Sequence, residues 1–512
     1  MKTFLCLLLF SSQVWAASWY VKPASSCANN GDGTATGCAA SGGAPGAWKG
    51  SANIVWASVV AGDTIFVGGN WVATDCHDPA IYCFLVGKSG NVGTPITIDF
   101  TGSTMSSAFL RTKAVATSTF SNVTIKNLTA TQFTTYGIDV NMSGVSTDVI
   151  NVTIESPTIY NITSCAGECD GISGKGSGIV VHNAKINNIA DDGIWTDGTG
   201  AVYYNDTNDG TYFVRDIGNG PNITGDCFQF SGSAGNDTNK VSKGYCDHRS
   251  TNEKQCAISN TKGVLTVWDT VCIANTYNLN GGSIGIYSEG RGDIQRNFLS
   301  GFNYGIDIAE LANGTVGSTI IDSNVVVRFG WYGITTGSAT PTGVTVTVAN
   351  NTIDGTGSDL NNSRCMNLAG AAGATITTYN NIVTSCKFGY VDAGGAATKT
   401  IATSVDFANT TRYSGFATGS TNSDPRLLGG INPPITVFRT GAEMWRPTPN
   451  STALIRMGTY YTSPANDLTG EVFDLPPSIG AFRGPNSSAT TNITSANITS
   501  SNITSANIVY GQ

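Results

Sequence analysis

Residues 151–163 read NVTIESPTIYNIT. The same grammar returns as NVTIKNLTA at 122–130, GIVVHNAKINNIA at 178–190, TIIDSNVVVRFG at 319–330, VTVTVANNTIDG at 344–355 and TITTYNNIVTSC at 375–386. Each unit is a short run of Val, Ile and Thr broken by Asn. The β-branched residues suit a pleated, half-buried strand, and Asn suits the bend that follows it. Gly-Ile pairs recur at Gly137-Ile138, Gly171-Ile172, Gly193-Ile194, Gly285-Ile286, Gly305-Ile306 and Gly333-Ile334, with Cys227-Phe228 and Ala257-Ile258 as replacements. Several gaps between pairs fall between 20 and 34 residues, while Gly178-Ile179 lies off the register. No helix-length amphipathic pattern interrupts the series.

Many short strands at a coil-length period predict an all-β parallel β-helix, a single-stranded solenoid. One turn alone cannot bury its apolar face, but stacked turns share a continuous core. A β-propeller is the structural alternative, and its blades need about 40–50 residues each. The 62 glycines and a charged fraction of only 12% fit an all-β extracellular chain. A formal charge of −8 with pI near 4.9 lacks the basic stripe that a nucleic-acid binder needs.

The opening MKTFLCLLLFSSQVWA has a basic start at Lys2, an apolar run and a small residue at Ala16. It is predicted to be a secretory signal peptide, residues 1–16, cut after Ala16. No later segment has about 18 uninterrupted apolar residues, so no membrane span is expected. Cys6 falls in the signal, which leaves an even 12 of 13 cysteines for an oxidising compartment. Cys27 with Cys38, Cys76 with Cys83, Cys165 with Cys169 and Cys365 with Cys386 lie close in sequence. The group Cys227, Cys246, Cys256 and Cys272 leaves its pairing open, and metal binding is a rival reading of Cys165-x-x-x-Cys169. Asn-x-Ser/Thr triplets begin at Asn122, Asn127, Asn151, Asn161, Asn222, Asn236 and Asn313, and point to N-glycosylation.

The solenoid is expected over 17–420, with an irregular C-terminal cap at 421–484. Beyond it, NSSATTNITSANITSSNITSANIVYGQ forms a Ser/Thr/Asn-rich tail over 485–512 that is expected to be disordered.

Asp170-Gly171-Ile172 and Asp192-Gly193-Ile194 repeat one local pattern 22 residues apart, with Asp226 and Asp247 following. Stacked carboxylates repel unless one is protonated or a cation lies between them, and calcium suits such a set of oxygens. An Asp before Gly is equally an ordinary turn residue. The segment CDHRSTNEKQC at 246–256 gathers Asp247, His248, Arg249, Glu253 and Lys254 in a weakly charged chain. It reads as a working site or as a solvated polar loop.

The start ASWYVKPASSCANNGDGTATGCAASGGAPGAWKG, the AGDTIFVGG at 61–69 and the ending NDLTGEVFDLPPSIGAFRG at 466–484 together resemble one family. It is the secreted right-handed parallel β-helix proteins of the pectate-lyase-like superfamily, and the resemblance covers most of residues 18–484. That group includes lyases, hydrolases, epimerases and non-enzymatic adhesins, so the resemblance speaks to fold before chemistry. It implies a polysaccharide lyase that cleaves a uronic-acid-containing polymer by β-elimination. Lys254 would be the base, Arg249 the carboxylate partner, and His248 an alternative base or a hydrogen-bonder to sugar. Asp192, Asp226 and Asp247 would hold Ca2+, with Asp170 in the same ladder and Asp191 and Asp197 in reserve. Trp195, Tyr203, Tyr204 and Tyr212 would stack on sugar rings. An inverting hydrolase using Asp192 or Asp197 with Asp226 is the second reading, although the Arg-x-Lys segment of polygalacturonases is missing. A non-catalytic glycan-binding surface protein, viral or of a cell wall, is the third.

Overall fold

The computed structural model describes residues 16–421, apart from 78–81, 107–112, 118–119, 141–149, 164–168, 219–224, 232–237, 249–255, 262, 275–281, 310–316, 338–342, 356–357, 359–361, 371, 396 and 415–419. The expected signal residues 1–15, nearly all of the cap and the whole tail therefore lie outside the described residues, as do Arg249 and Lys254. So do the sequons at Asn222, Asn236 and Asn313.

Three parallel sheets of 15, 14 and 13 strands form a β-solenoid. The first sheet contains Ser18–Lys22, the second Asn70–Trp71 and the third Tyr82–Val86. The chain visits them in that order, one strand each per coil, as in Val123–Lys126, Thr129–Thr131 and Tyr136–Val140. Every pairing between named strands is parallel and nearly all are in register, so each residue stacks on its counterpart about 4.8 Å away in the next coil. Among the described residues, helical structure is confined to three short 3-10 turns near the start.

The repeated sequence units explain this architecture. Ile138, Ile172, Ile194, Phe228, Ile258, Ile286, Ile306, Ile334 and Met366 form one continuous buried ladder on the third sheet. The residue before each rung faces side chains arriving from the second sheet, which is why it is usually glycine. A Cβ at Gly137 would stand 2.6 Å from Ile159 Cγ2, and one at Gly193 would collide with Val214. In the next coil Cys227 takes the glycine position and Cys246 the Val214 position, and the two are joined by a disulfide. The clash of one coil becomes a covalent cross-brace in the next.

Disulfides also join Cys27 to Cys38, Cys76 to Cys83 and Cys365 to Cys386. Cys169 is disulfide-bonded, which removes it as a thiolate metal ligand. Not every cysteine is paired, however. Cys272 is a free buried thiol stacked beside Cys246, and burial holds its pKa high.

In the coils from Arg291 to Tyr379 the turn from the first to the second sheet is tight and repetitive. It places Arg296, Ser323, Asn350 and Asn380 at φ of 53° to 56°, each followed by a buried Asn. Asn297, Asn324, Asn351 and Asn381 form a ladder in which each Nδ2 donates to the next Oδ1 at 2.9 to 3.0 Å. Each Oδ1 from Asn324 onward also accepts the backbone N–H of the Asn before it, and each Nδ2 donates to a first-sheet carbonyl. Buried corners thus satisfy their own polar groups without water.

Replacing Asn324 by Ala is expected to strip partners from Asn297 and Asn351 at once. Chemical denaturation should register a loss of about 2–4 kcal/mol, from one to two buried groups left unsatisfied at ~1–3 kcal/mol each.

Candidate functional site

The three corners of a coil differ in what they tolerate. Only two residues, Arg296 and Asn297, join Arg291–Gln295 to Phe298–Ser300. Nine residues join Val271–Ala274 to Ile284–Ser288, and nine join Tyr304–Ile308 to Ser318–Asp322. Long connections therefore border the third sheet on both edges, and its outer face is the candidate groove floor.

One outward row on that floor runs Asp139, Ser173, Trp195, Gln229, Ser259, Tyr287, Asp307, Thr335 and Asn367. Along the edge facing the second sheet stand Asp170, Asp192 and Asp226, each two residues before an Ile or Phe of the buried ladder. Their coils are locked by Gly171 N–H donating to the Asp192 carbonyl at 2.9 Å and Gly193 N–H to the Asp226 carbonyl at 2.8 Å. All three are buried. The Asp226 N–H donates to Asp192 Oδ1 at 2.7 Å, and Ser259 Oγ donates to Asp226 Oδ2. Burial, and then the charges of Asp226, Asp170 and Asp191, hold the Asp192 carboxyl well above the usual carboxylate range. Asp192 Oδ2 accepts no hydrogen bond among the described residues.

The anticipated residues separate on this framework. Trp195 lies on the floor, with Lys175 Nζ 5.3 Å from its ring centre and its Nε1 donating to Ser231 Oγ at 3.2 Å. Tyr203 must be corrected to a core residue. It is 1% exposed, packs on Phe228 at 4.4 Å and donates its hydroxyl to Asn205, because strand alternation turns it inward and Tyr204 outward. Tyr204 is exposed but belongs to the first sheet, stacked on His182 at 4.2 Å. Tyr212 precedes Phe213–Ile217 of the second sheet, beside Lys185. The four aromatics occupy different faces and form no common platform. Asp247 lies on the second sheet, in register with Arg215 and Ile273. His248 is only 4% exposed, its Nε2 3.5 Å from Cys227 Sγ, so it faces the cross-brace rather than the floor. His248, Cys227 and Cys246 also form a cluster of potential metal ligands, but the disulfide removes both thiolates.

Lys254 and Arg249 lie outside the described residues, within the connection from Tyr245–His248 to Cys256–Asn260. The register of Phe228 with Ile258 gives Cys256 the position that Asp226 holds one coil earlier. Lys254 is two residues before it in sequence.

A second group was not anticipated. Tyr304 meets Trp331 and Tyr332 edge-on at 5.5 and 5.1 Å. Arg364 lies 5.3 Å from the Tyr332 ring centre and donates to Asn367 Oδ1 at 2.7 Å. All four residues are partly exposed. Burial pushes the neighbouring Asp307 carboxyl up to about 7, and burial with Tyr332 and Asp307 pushes Tyr304 up to about 12. In sequence these residues are dispersed over 304–364, and only the coil register brings them together.

No family model and no curated protein matches this chain. Among solved structures, a pectate lyase, Pel9A, is similar at 14% identity over 91% of this chain and 96% of that one, with a TM-score of 0.40. XylC in complex with xylose is similar at 10% identity over 91% and 99%, with a TM-score of 0.43. A mannuronic-acid-specific family 6 polysaccharide lyase from human gut microbiota aligns at 11% identity over 64% and 83%, with a TM-score of 0.36. Likenesses this distant carry no site residue across.

The raised Asp192 carboxyl has a signed consequence. Its unfolded value is about 3.9, so its contribution to stability is full below that pH and is lost as pH rises through the higher folded value. Asp192→Asn should therefore flatten the fall in stability above pH ~4. The wild-type curve should be steeper by up to about 1.4 kcal/mol per pH unit, read by denaturant titration across pH.

Proposed function

We propose that the outer face of the third sheet binds an acidic polysaccharide and cleaves it by β-elimination. The observation that carries this reading is the buried ladder Asp170–Asp192–Asp226 at the groove edge, whose mutual repulsion is relieved by a proton or by a cation. The ladder offers only oxygen donors, including an Asp192 oxygen that accepts no hydrogen bond among the described residues, and that chemistry suits Ca2+. Asp170 replaces Asp247 in the proposed ligand set. When bound, calcium would supply positive charge to a substrate carboxylate and so acidify the adjacent carbon.

Lys254 is the proposed base and Arg249 the proposed carboxylate partner. The base takes the proton from the carbon beside the carboxylate. The released electron pair forms a carbon–carbon double bond, and the glycosidic oxygen departs from the neighbouring carbon and takes up a proton. Cationic neighbours lower the base's pKa towards working pH. Tyr304 lies three coils beyond Asp226, about 14 Å at the interstrand spacing, and Arg364 lies five coils beyond, about 24 Å. A polymer lying along the solenoid axis would reach this second group several sugars away from the cleaved bond.

One observation favours a second reading. Asp192, with its carboxyl held protonated, and Asp226 are also the acid and base that an inverting glycoside hydrolase would draw on, with a water between carboxyls about 6.5–9.5 Å apart.

Incubation with uronate polymers, with and without calcium, separates the readings. Calcium-dependent growth of near-ultraviolet absorbance from an unsaturated product is expected. New reducing ends without that absorbance would mean hydrolysis, and binding with neither signal would mean a glycan-binding protein. Lys254→Ala is expected to lower kcat at least about 100-fold with the polymer still bound. Trp331→Ala should raise KM for long chains about tenfold, ~1.4 kcal/mol of binding, and leave short oligomers unaffected.

A further inference from the structure

At the other end of the molecule a buried carboxylate has no cationic side chain beside it among the described residues. Asp63 is 0% exposed and stands just before Thr64–Val67 of the first sheet. Its Oδ1 accepts the backbone N–H of Ala17 at 2.7 Å. Its Oδ2 accepts Trp19 Nε1 at 2.8 Å and the Val60 N–H at 2.9 Å. No Lys, Arg or His nitrogen pairs with it among the described residues. Burying an ionised carboxylate against neutral donors alone is costly, and a charged partner offsets that cost.

The nearest donor is the nitrogen of the residue that follows the expected signal cleavage point. Ala17 is held there independently, since Thr64 N–H donates to its carbonyl at 3.0 Å and Ser18–Lys22 then pairs with Thr64–Val67 from Ser18 onward. Ala16, one residue earlier, is exposed. We propose that the chain is cut between Ala16 and Ala17, and that the new α-ammonium of Ala17 forms an ion pair with Asp63 that locks the first coil.

The cut is a hydrolysis by a leader-removing peptidase that reads Val14 and Ala16, small or modest residues at the two recognition positions. Water adds across the peptide bond. Ala16 leaves as a carboxylate, and both hydrogens of the water end on the Ala17 nitrogen as it becomes an ammonium. Before the cut, Ala17 offers Asp63 one neutral N–H. Afterwards the same nitrogen carries a full charge and three donors, with no movement of the strand. Processing would thereby complete the charge balance of the first coil, so the mature chain would differ from its precursor in stability as well as in length.

The test uses the full chain secreted from a eukaryotic host. Mass spectrometry of the amino-terminal peptide is expected to find Ala17 with a free amine, and a start at any other residue overturns the proposal. The α-amine pKa, read from the pH dependence of its acylation, is expected about one unit or more above that in Asp63→Asn. Equal values would overturn the ion pair. Should Asp63→Asn fail to fold, the wild-type amine alone decides, because a value at or below the ordinary 7.7–8.0 is incompatible with the pair. Placing Gly-Ser before Ala17 moves the charge off Asp63 and should lower the unfolding midpoint by about 2 °C or more. An unchanged midpoint would again overturn the proposal.

Discussion

Stacking almost in register at the interstrand spacing is the constraint on which the rest of this molecule depends. Each side chain meets its counterpart from the coil before and the coil after. Where the counterparts are Ile or Val, the meeting yields the core ladder. Where they are Asn, each amide is both donor and acceptor, so identical residues satisfy one another through the buried corner from Asn297 to Asn381. Where they are Asp, the same geometry produces repulsion, because a carboxylate accepts and does not donate. The repeating fold and the strained carboxylates thus follow from one rule applied to different residues.

The fold was legible because periodicity survives in the sequence. The β-rich units, the Asn corners and the Gly-Ile pairs all fall where the coils need them, and even the substitutions Cys227-Phe228 and Ala257-Ile258 keep the register. Asp170, Asp192 and Asp226 were legible for the same reason, since each sits at one fixed offset from the buried ladder. Asp247 lies on the second sheet, a placement that spacing alone cannot give. The interval from Asp226 to Asp247 is coil-like, yet it runs from the edge of the third sheet to the second. Tyr203 and Tyr204 differ by one residue and therefore by a whole face, and the apolar pattern of AVYY does not fix the phase. The group of Tyr304, Trp331, Tyr332 and Arg364 was not readable, because its members become neighbours only after two coils have wound between them.

The two ends of the charge argument mirror each other. At the edge of the third sheet, like charges are brought together in a buried ladder. At the first coil, a single buried carboxylate is met by a backbone nitrogen whose charge depends on how the chain is processed. In both places burial makes each neighbouring charge matter, since solvent screens it little.

The two-residue turn between the first and second sheets has a consequence for how such a protein diversifies. Its left-handed residue and interlocked Asn leave no room for an added residue without breaking the ladder on both sides. The connections that border the third sheet carry no such lock, and their lengths already vary from coil to coil. Most insertions are therefore channelled to the two corners that flank the third sheet, and the eight residues between Val202–Tyr204 and Phe213–Ile217 are an exception at the locked corner. The locked corner acts as a spine that keeps count, and new chemistry is written beside the sheet where counting is not enforced.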